Sequence, residues 1–280
     1  MKRIILLLII LSVPFISVFA RKNRPIIVAT YNLRQNNPKD GTNAWPNRKE
    51  MVKGLIRFHE FDIFGTQEGF IDQIKGLLEM EEFAYTGHGR DDGKEAGEHS
   101  AIFYKKDRFK LLKEGDFWLS ENPDQPSFGW DAKGHRRICS WGNFRDLKTS
   151  NEFYFFCAHF DHRGVEAKKE SGKLIVRKIR EIAGNAPVFF VGDLNSTPET
   201  EQVQTIKTLL RDSRQISETP AYGPYGTTNS FKFDSPMTEL IDYIFVSNQI
   251  DILKYGVLTD SKEQRYPSDH QPVVVKAVIK

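Results

Sequence analysis

The sequence has few cysteines, little net charge and no segment that would separate domains. Only two of its 280 residues are cysteine, and no Cys or His pattern has zinc-site spacing, which excludes a zinc-finger module. The formal net charge of +3 gives no overall electrostatic reason to expect a nucleic-acid coat protein. Because no proline- or serine-rich linker, low-complexity tract or solenoid-type repeat is visible, we expect one globular domain.

The two cysteines, Cys139 and Cys157, lie in strand-like runs joined by the polar turn "DLKTSN". A hairpin at this turn could bring them together, and export would permit a disulfide. Spacing alone does not supply the geometry that a disulfide needs. We expect two buried free thiols.

The first twenty residues have the layout of a secretory signal peptide. Lys2 and Arg3 precede an apolar run that Pro14 interrupts, and the run ends in small residues. It is too short and too interrupted for a membrane span, which needs about 20 apolar residues. We therefore expect cleavage after Ala20, a secreted or periplasmic protein without a stable membrane anchor, and one mature domain over residues 21–280.

From Pro25 onward, strand-like and helix-like segments alternate. "PIIVATYNL" and "FDIFGTQEG" have the composition of strands, and the spacing of Met51, Leu55 and Phe58 predicts a helix between them. Residues 83–160 are rich in strand-like runs, and a long helix-like segment follows. This order predicts an α/β domain with mixed sheets and helices outside them.

Polar side chains follow the apolar runs at several predicted strand ends. In "VFFVGDLNSTPET", Asp193 and Asn195 are spaced by two, so they point to the same side, where open α/β sheets bind ligands. Thr197 and Pro198 behind them predict the start of a helix. Each polar residue alone has an ordinary explanation as a turn or cap. The other residues of this set are Asn32, Glu68, His159, Asp161, Asp242, Asp269 and His270.

The set has the composition of a site for water attack on a phosphate ester. Carboxylate and amide oxygens are the ligands that Mg²⁺ prefers, and Asn32, Glu68 and Asp269 supply them. His270 with Asp242 forms a possible histidine–carboxylate pair, in which the acid orients the imidazole. Of the other residues in the set, Asp193 and Asn195 could hold the attacking water, and His159 could donate a hydrogen bond to a phosphate oxygen.

The motifs "TYNLR", "TQEG", "GDLNSTP", "IDYIF" and "SDHQP" resemble, in order, those of the endonuclease/exonuclease/phosphatase superfamily. That superfamily includes deoxyribonucleases, abasic-site endonucleases, sphingomyelinases, inositol polyphosphate phosphatases and deadenylases. The resemblance covers nearly the whole mature chain. It implies a four-layer α/β sandwich, in which two packed mixed β-sheets are flanked by helices, and cleavage of phosphate esters with Mg²⁺ or Mn²⁺.

The resemblance also implies individual roles. Glu68 would be the principal metal ligand, with Asn32 and Asp269 near the metal. His270 would contact the scissile phosphate or act as the base, and the choice stays open, as does the number of metal ions. The residues implied as catalytic are His159, Asp193, Asn195, Asp242 and His270.

Departures from the motifs of individual branches of the superfamily indicate which branches this sequence does not resemble. The tripeptide "CDR" of inositol 5-phosphatases is absent near "ELIDYIF", and Arg34 stands where abasic-site endonucleases have an acid. "GDLNSTPET" is most similar to deadenylases and phosphodiesterases, whereas "GHGRDDGKEAGEHSAIFY" looks like secreted bacterial members. Arg90 and Arg137 could grip phosphate in forked geometry, and for Trp141 we expect core packing rather than base stacking.

These observations predict a secreted, divalent-metal-dependent phosphoesterase. A phosphodiesterase or nuclease-like hydrolase is favoured. The alternative is a phosphomonoesterase or phospholipase-like enzyme that acts on sugar, inositol or lipid phosphates. A binding protein without catalysis is disfavoured because Glu68, Asp193 and His270 are all present. We expect a monomer whose partner is a phosphate-ester substrate.

Overall fold

The strands of this protein form two six-stranded sheets. The computed structural model describes residues 24–280, and the predicted signal peptide lies outside that range. With strands numbered in chain order, the first sheet has the spatial order β11 (Ile250–Val257), β12 (Val273–Ile279), β1 (Ile26–Asn32), β2 (Ile63–Gln67), β4 (Ile102–Lys105), β3 (Phe83–Thr86). The second has the order β5 (Phe109–Trp118), β6 (Ile138–Asp146), β7 (Glu152–His159), β8 (Val188–Asp193), β10 (Asp242–Val246), β9 (Arg211–Asp212).

Each sheet contains one parallel pair of strands in its interior. β1 pairs in parallel with β2, and β7 pairs in parallel with β8, whereas the other pairings are antiparallel. A parallel pair needs a crossover connection. Helix α1 (Trp45–Phe58) lies in the first crossover and α3 (Val165–Ala183) in the second. Because the strands of each pair are parallel, their carboxyl ends lie at the same edge of the sheet, and the loops that follow them carry polar side chains.

Helices cover the outer faces of both sheets. The remaining helices are α2 (Ile71–Leu77), α4 (Glu201–Lys207), α5 (Ser213–Ile216) and a 3-10 helix (Pro38–Asn43). One buried cluster fills the space between the sheets, a second lies between the second sheet and α3 and α4, and a third lies between the first sheet and α1 and α2. The predicted four-layer sandwich of two mixed sheets flanked by helices is confirmed.

Because several strands are buried on both faces, apolar and polar residues do not alternate clearly along them in the sequence. All six residues of β8 are buried, and so are all five of β2. A strand covered on both faces reads as a continuous apolar run. Within residues 24–280, no helix is long and apolar enough to cross a bilayer.

Both cysteines are buried free thiols, as expected. Cys139 is paired across β6 and β7 with Ala158, and Cys157 with Ser140, so their side chains point to opposite faces of the sheet. Cys157 lies between the two sheets, and Cys139 lies under α3. Opposite faces exclude a disulfide between them.

One local prediction, that Thr197 and Pro198 start a helix, was wrong. Helix α4 begins at Glu201 with Thr200 at its N-cap, because Thr197 and Pro198 form a separate turn closed by the Thr200 amide on the Thr197 carbonyl (3.1 Å). The helix predicted from the spacing of Met51, Leu55 and Phe58 is confirmed as α1, whose last residue, Phe58, is 79% exposed.

The closest approach of the sheets generates a stability prediction. A Cβ at Gly65 of β2 would lie 2.5 Å from Val191 Cγ2 and 2.6 Å from Cys157 Sγ. Gly65→Ala is therefore expected to lower the free energy of unfolding by about 1–3 kcal/mol through overpacking. Gly54→Ala, on the exposed side of α1 with no atom within 4 Å of the added Cβ, is the control.

Urea denaturation of both variants measures the difference. Gly54→Ala is expected to gain about 0.5–1 kcal/mol because alanine replaces glycine inside a helix. Equal stability of Gly65→Ala and the parent protein would contradict the close packing of the two sheets.

Candidate active site

The polar side chains that follow β1, β2, β7 and β8 meet at one edge of the molecule, around a cavity of about 300 Å³. Of the residues singled out in the sequence, the lining includes Glu68, Arg137, His159, Asp193, Asn195 and His270. The other lining residues are Arg34, Gln35, Glu98, His135 and His162. Asn32 and Asp242 lie directly behind the lining and bond to it, whereas Arg90 lies behind Glu98.

Asp193 is the centre of the site. Asn32 Nδ2 donates to its Oδ2 (3.0 Å), and the backbone amide of Asn195 donates to its Oδ1 (2.9 Å). His159 Nε2 lies 3.5 Å from Oδ2. Burial, reinforced by the negative charge of Asp242, raises the pKa of Asp193 to about 7. A carboxylate with this pKa can take up a proton near neutral pH.

His270 and Asp242 form a buried ion pair beside Asp193. His270 Nδ1 lies 2.9 Å from Asp242 Oδ2 and 3.9 Å from Asp193 Oδ2. The hydroxyl of Thr227 donates to the same Asp242 oxygen (2.5 Å). Burial alone would lower the pKa of His270, but the charges of Asp242 and Asp193 outweigh it and hold that pKa well above its ordinary value. His270 is therefore an imidazolium whose Nε2 is available to a ligand.

His159 bonds to Asn195 rather than standing free. Asn195 Nδ2 donates to the Phe160 carbonyl (3.1 Å) and faces His159 Nε2 (3.1 Å). An amide NH₂ is a donor, so Nε2 accepts and the proton of His159 is on Nδ1, which lies 3.8 Å from Glu98 Oε2. Burial and the charge of Arg137 hold the pKa of His159 well below its ordinary value, so its ring is neutral.

Glu68 and Asp269 supply carboxylate oxygens on the first-sheet side. Glu68 accepts from the Gln35 amide (3.1 Å) and from Asn32 Nδ2 (3.1 Å). Burial raises the pKa of Glu68, but the charge of His270 and these two bonds outweigh it, so the net pKa is lowered. The pKa of Asp269 is raised by burial and by Glu68, and Arg34 Nε lies 3.9 Å from it.

Two groups of these residues fit a divalent cation. Glu68 and Asp269 offer hard oxygen donors that repel each other without a cation, which suits Mg²⁺ or Mn²⁺. Asp193, Asp242 and His270 also place ligand atoms within 4.8 Å of one another and could hold a metal ion. In that second group, His270 Nδ1 already shares its proton with Asp242. The amide oxygen of Asn32 accepts from the Arg34 amide (2.9 Å), so its NH₂ group faces the carboxylates.

Of the two predicted phosphate-binding arginines, Arg137 lines the cavity and Arg90 lies behind the lining. Arg137 Nη2 lies 3.0 Å from His162 Nδ1, and its Nη1 is buried without a hydrogen-bond partner among residues 24–280. Arg90 Nη1 bonds to Glu98 Oε2 (2.5 Å) and does not line the cavity. Trp141 packs beside Tyr154 and the second-sheet core, as expected.

Arg48 of α1 supports the site and was not identified from the sequence. Its guanidinium donates to the carbonyls of Leu33, Arg34, Asn43 and Pro267. It is 1% exposed. These bonds tie the loop after β1 to the loop before β12. The loop before β12 carries Asp269, and the Gln35 amide in the loop after β1 bonds to Glu68.

The planar fork of Arg48 generates a prediction. Arg48→Lys should lower the free energy of unfolding by about 2–4 kcal/mol, because one ammonium cannot satisfy all these carbonyls. Arg57→Lys on the same helix is the control, since Arg57 is exposed and pairs with Glu82 at the surface. It should change stability by less than about 0.5 kcal/mol in the same urea titration. Equal losses in the two variants would contradict the role of Arg48.

Comparisons with known proteins agree with this fold and site. Residues 29–270 match the endonuclease/exonuclease/phosphatase family. A Bacteroides thetaiotaomicron protein described as a member of that family is 42% identical, with a TM-score of 0.89, over 92% of this chain and 99% of its own. A mannosyl-6-phosphatase of the same organism is 42% identical, with a TM-score of 0.86, over 91% of this chain and 100% of its own.

A viral protein is a more distant relative. Protein R895 of Acanthamoeba polyphaga mimivirus is 25% identical in an alignment of length 224 that covers 67% of this chain, and the chain spans 32% of that protein's length. The family match covers most of the chain and includes the loops that carry Glu68, Asp193 and His270. The sequence motifs, the two-sheet fold and these comparisons agree: this chain belongs to the endonuclease/exonuclease/phosphatase family and is a phosphoester hydrolase.

Proposed function

We propose that this chain is an exported, Mg²⁺- or Mn²⁺-dependent phosphomonoesterase that removes phosphate from a phosphorylated sugar. The observation that carries this proposal is the lining of the catalytic cavity, in which all eleven side chains are polar or charged. Ligand pockets are usually mostly apolar. A cavity lined by charged groups, amides and imidazoles, with no aliphatic, Phe, Tyr or Trp side chain, suits a hydroxyl-rich anion.

The same lining argues against the other substrate classes. Bases of single-stranded nucleic acid stack on aromatic side chains, and the cavity offers only imidazole rings. A lipid chain would need an apolar wall. The relative with a mannosyl-6-phosphatase activity, at 42% identity over 91% of this chain, supports the monoester as well. A phosphodiesterase is the second candidate, favoured by the similarity of "GDLNSTPET" to deadenylases and phosphodiesterases.

Glu68 and Asp269 would hold the metal ion, with Asn32 orienting Glu68. The donor set is made of hard oxygens, which Mg²⁺ and Mn²⁺ prefer. When bound, such an ion supplies Lewis-acid polarisation of a phosphoryl oxygen. We assign Asn32 to orientation because its NH₂ group bonds to Glu68 and Asp193 and its oxygen accepts from a backbone amide.

Asp193 would take the proton of the attacking water. Its raised pKa makes it a base near neutral pH, and Asn32 and the Asn195 amide fix its two oxygens. The NH₂ group of Asn195 is held by Phe160 and His159, which leaves its side-chain oxygen to accept a hydrogen bond from the same water. In this assignment His159 positions Asn195.

His270 and Arg137 would bind the phosphate. The imidazolium of His270 is held by Asp242 through Nδ1, so Nε2 can donate to a phosphate oxygen as negative charge builds there. Arg137 has a buried, unpartnered Nη1 beside the same cavity. Arg90 would hold Glu98 in place without touching the substrate.

The first experiment is a substrate panel with purified protein and Mg²⁺ or Mn²⁺. The substrates are a hexose 6-phosphate, p-nitrophenyl phosphate, bis-p-nitrophenyl phosphate and a labelled oligonucleotide, with EDTA as the metal-free control. Phosphate release from the hexose 6-phosphate is expected, and it should stop in EDTA. Glu68→Gln should lower kcat/KM by about 100-fold at unchanged melting temperature, because it removes a metal-binding charge. Cleavage of only the diester or the oligonucleotide would replace the proposal with the second candidate.

His270→Gln tests the catalytic role of His270, and the histidine–aspartate pair of His59 and Asp260 elsewhere in the protein supplies the control. Loss of His270 should lower kcat on the hexose 6-phosphate by about 10²–10⁴-fold, as expected for a group that acts on the transition state. His59→Gln is the control, because His59 forms a surface pair with Asp260 (2.9 Å) and lines a different cavity. Circular dichroism checks that both variants are folded at the assay temperature. Parallel losses in the two variants would contradict the assigned role of His270.

A further inference from the structure

The catalytic cavity adjoins a second cavity of about 240 Å³. The second cavity lies between the loop of residues 131–135 and the turn of residues 161–163. His135 and His162 line both cavities. Their rings are 5.9 Å apart and tilted by 36°, so they form the boundary between the two spaces. None of the roles assigned above uses this second space.

The walls of the second cavity are held by hydrogen bonds. Asp131 accepts from the backbone amides of Val165 (2.9 Å) and Ala167 (2.7 Å), which fixes its loop to the first turn of α3. Asp161 accepts from the amides of Arg163 (2.8 Å) and Gly164 (2.7 Å). These bonds use the carboxylates of the cavity for structure, so they give the space a defined shape before any ligand arrives.

The groups left free in the second cavity are suited to hydroxyl groups. Arg137 donates to His162 Nδ1 (3.0 Å), so the proton of the neutral ring is on Nε2, which can donate to a ligand. Lys133 and Arg163 are exposed and line this cavity. His135 offers one further donor and one acceptor when neutral. Burial and the charges of nearby arginines lower the pKa of both histidines, which favours that neutral form.

We propose that the second cavity binds the sugar next to the phosphorylated one, so that the substrate is a phosphorylated oligosaccharide rather than a free hexose phosphate. This inference rests on the proposed function, because it assigns the phosphate and its own sugar to the catalytic cavity. His135 and His162 lie where the glycosidic link between the two sugars would pass. Lys133 and Arg163 donate to hydroxyls of the second sugar.

The reaction itself stays the hydrolysis of one ester bond. The oxygen of water forms a bond to phosphorus, and the bond between phosphorus and the sugar oxygen breaks. One proton of the water goes to Asp193, and the sugar oxygen leaves with the electron pair of the broken bond and takes a proton from solvent water to become a hydroxyl. Asp193 then returns its proton to solvent. Both products are inorganic phosphate and a neutral oligosaccharide, so no further reactant is needed. The second sugar contributes binding energy only, and it can act through kcat/KM.

The test compares two substrates that differ only by the second sugar. A hexose 6-phosphate and a disaccharide with the same 6-phosphate on its non-reducing sugar are assayed with Mg²⁺. In the parent protein, kcat/KM should be at least about tenfold higher for the disaccharide, because hydrogen bonds to hydroxyls discriminate by this much or more. The double variant Lys133→Ala/Arg163→Ala should bring the ratio of the two kcat/KM values close to one.

A second variant fills the cavity without removing a charge. Gly134 lines the second cavity, and a Cβ added there meets no atom within 4 Å. Gly134→Leu should therefore fold and should lower the same ratio by steric exclusion. Lys110→Ala, on the exposed side of β5, is the charge-removal control and should leave the ratio unchanged. Thermal melting verifies the fold of each variant.

The outcomes separate this inference from the function on which it rests. If neither sugar phosphate releases phosphate, the proposed phosphomonoesterase fails and this inference fails with it. If both are hydrolysed with equal kcat/KM in the parent protein, the second cavity is not a sugar subsite, although the proposed function stands. A tenfold preference that survives in both cavity variants would also overturn the inference, because the preference would then arise elsewhere.

Discussion

The site depends on two carboxylates that face each other inside the second sheet. Asp193 and Asp242 are register partners in the antiparallel pair β8–β10, and both are buried. Like charges directly opposite each other in a sheet are destabilising. His270 offsets this repulsion through its ion pair with Asp242. The chain must therefore bring its last loop across from the first sheet, and in doing so it joins the two sheets at the catalytic edge.

The backbone at this edge is held in conformations that few side chains adopt. Arg34, Glu68 and Asn195 are non-glycine residues with positive φ, at 55°, 62° and 45°. Each follows the end of a strand by one or two residues. Such conformations cost free energy and persist where the surrounding structure fixes them. Here Arg48 fixes the Arg34 loop, and the Asn195 side chain is held by Phe160 and His159. The turns bring the polar groups back over the strand ends.

The sequence predicted the parts of the site that are adjacent to strands. Apolar runs ending in Glu68 or Asp193 identify a sheet edge because the pattern is local. The partners that give these residues their protonation states are distant in the chain, and sequence spacing does not predict them. The hydroxyl of Thr227 on Asp242 is such a contact, since Thr227 lies in a long irregular segment. His159 was expected to donate to phosphate, and only the position of Asn195 indicates that its Nε2 is an acceptor.

The proposed metal ion fits the balance of charges at this edge. Arg34 is shared with Asp40, which takes two of its donors. The other cations at this edge are Arg48, Arg90, Arg137 and His270. The carboxylates around them are Glu68, Glu98, Asp161, Asp193, Asp242 and Asp269. A phosphate group adds a further charge of about −1.5 to −2 at pH 7, and a divalent ion beside Glu68 and Asp269 would offset that added charge. The same excess of carboxylates would disfavour a long polyanion along this edge, whereas the second cavity, with Lys133 and Arg163 at its wall, remains open to a neutral, hydroxyl-rich group.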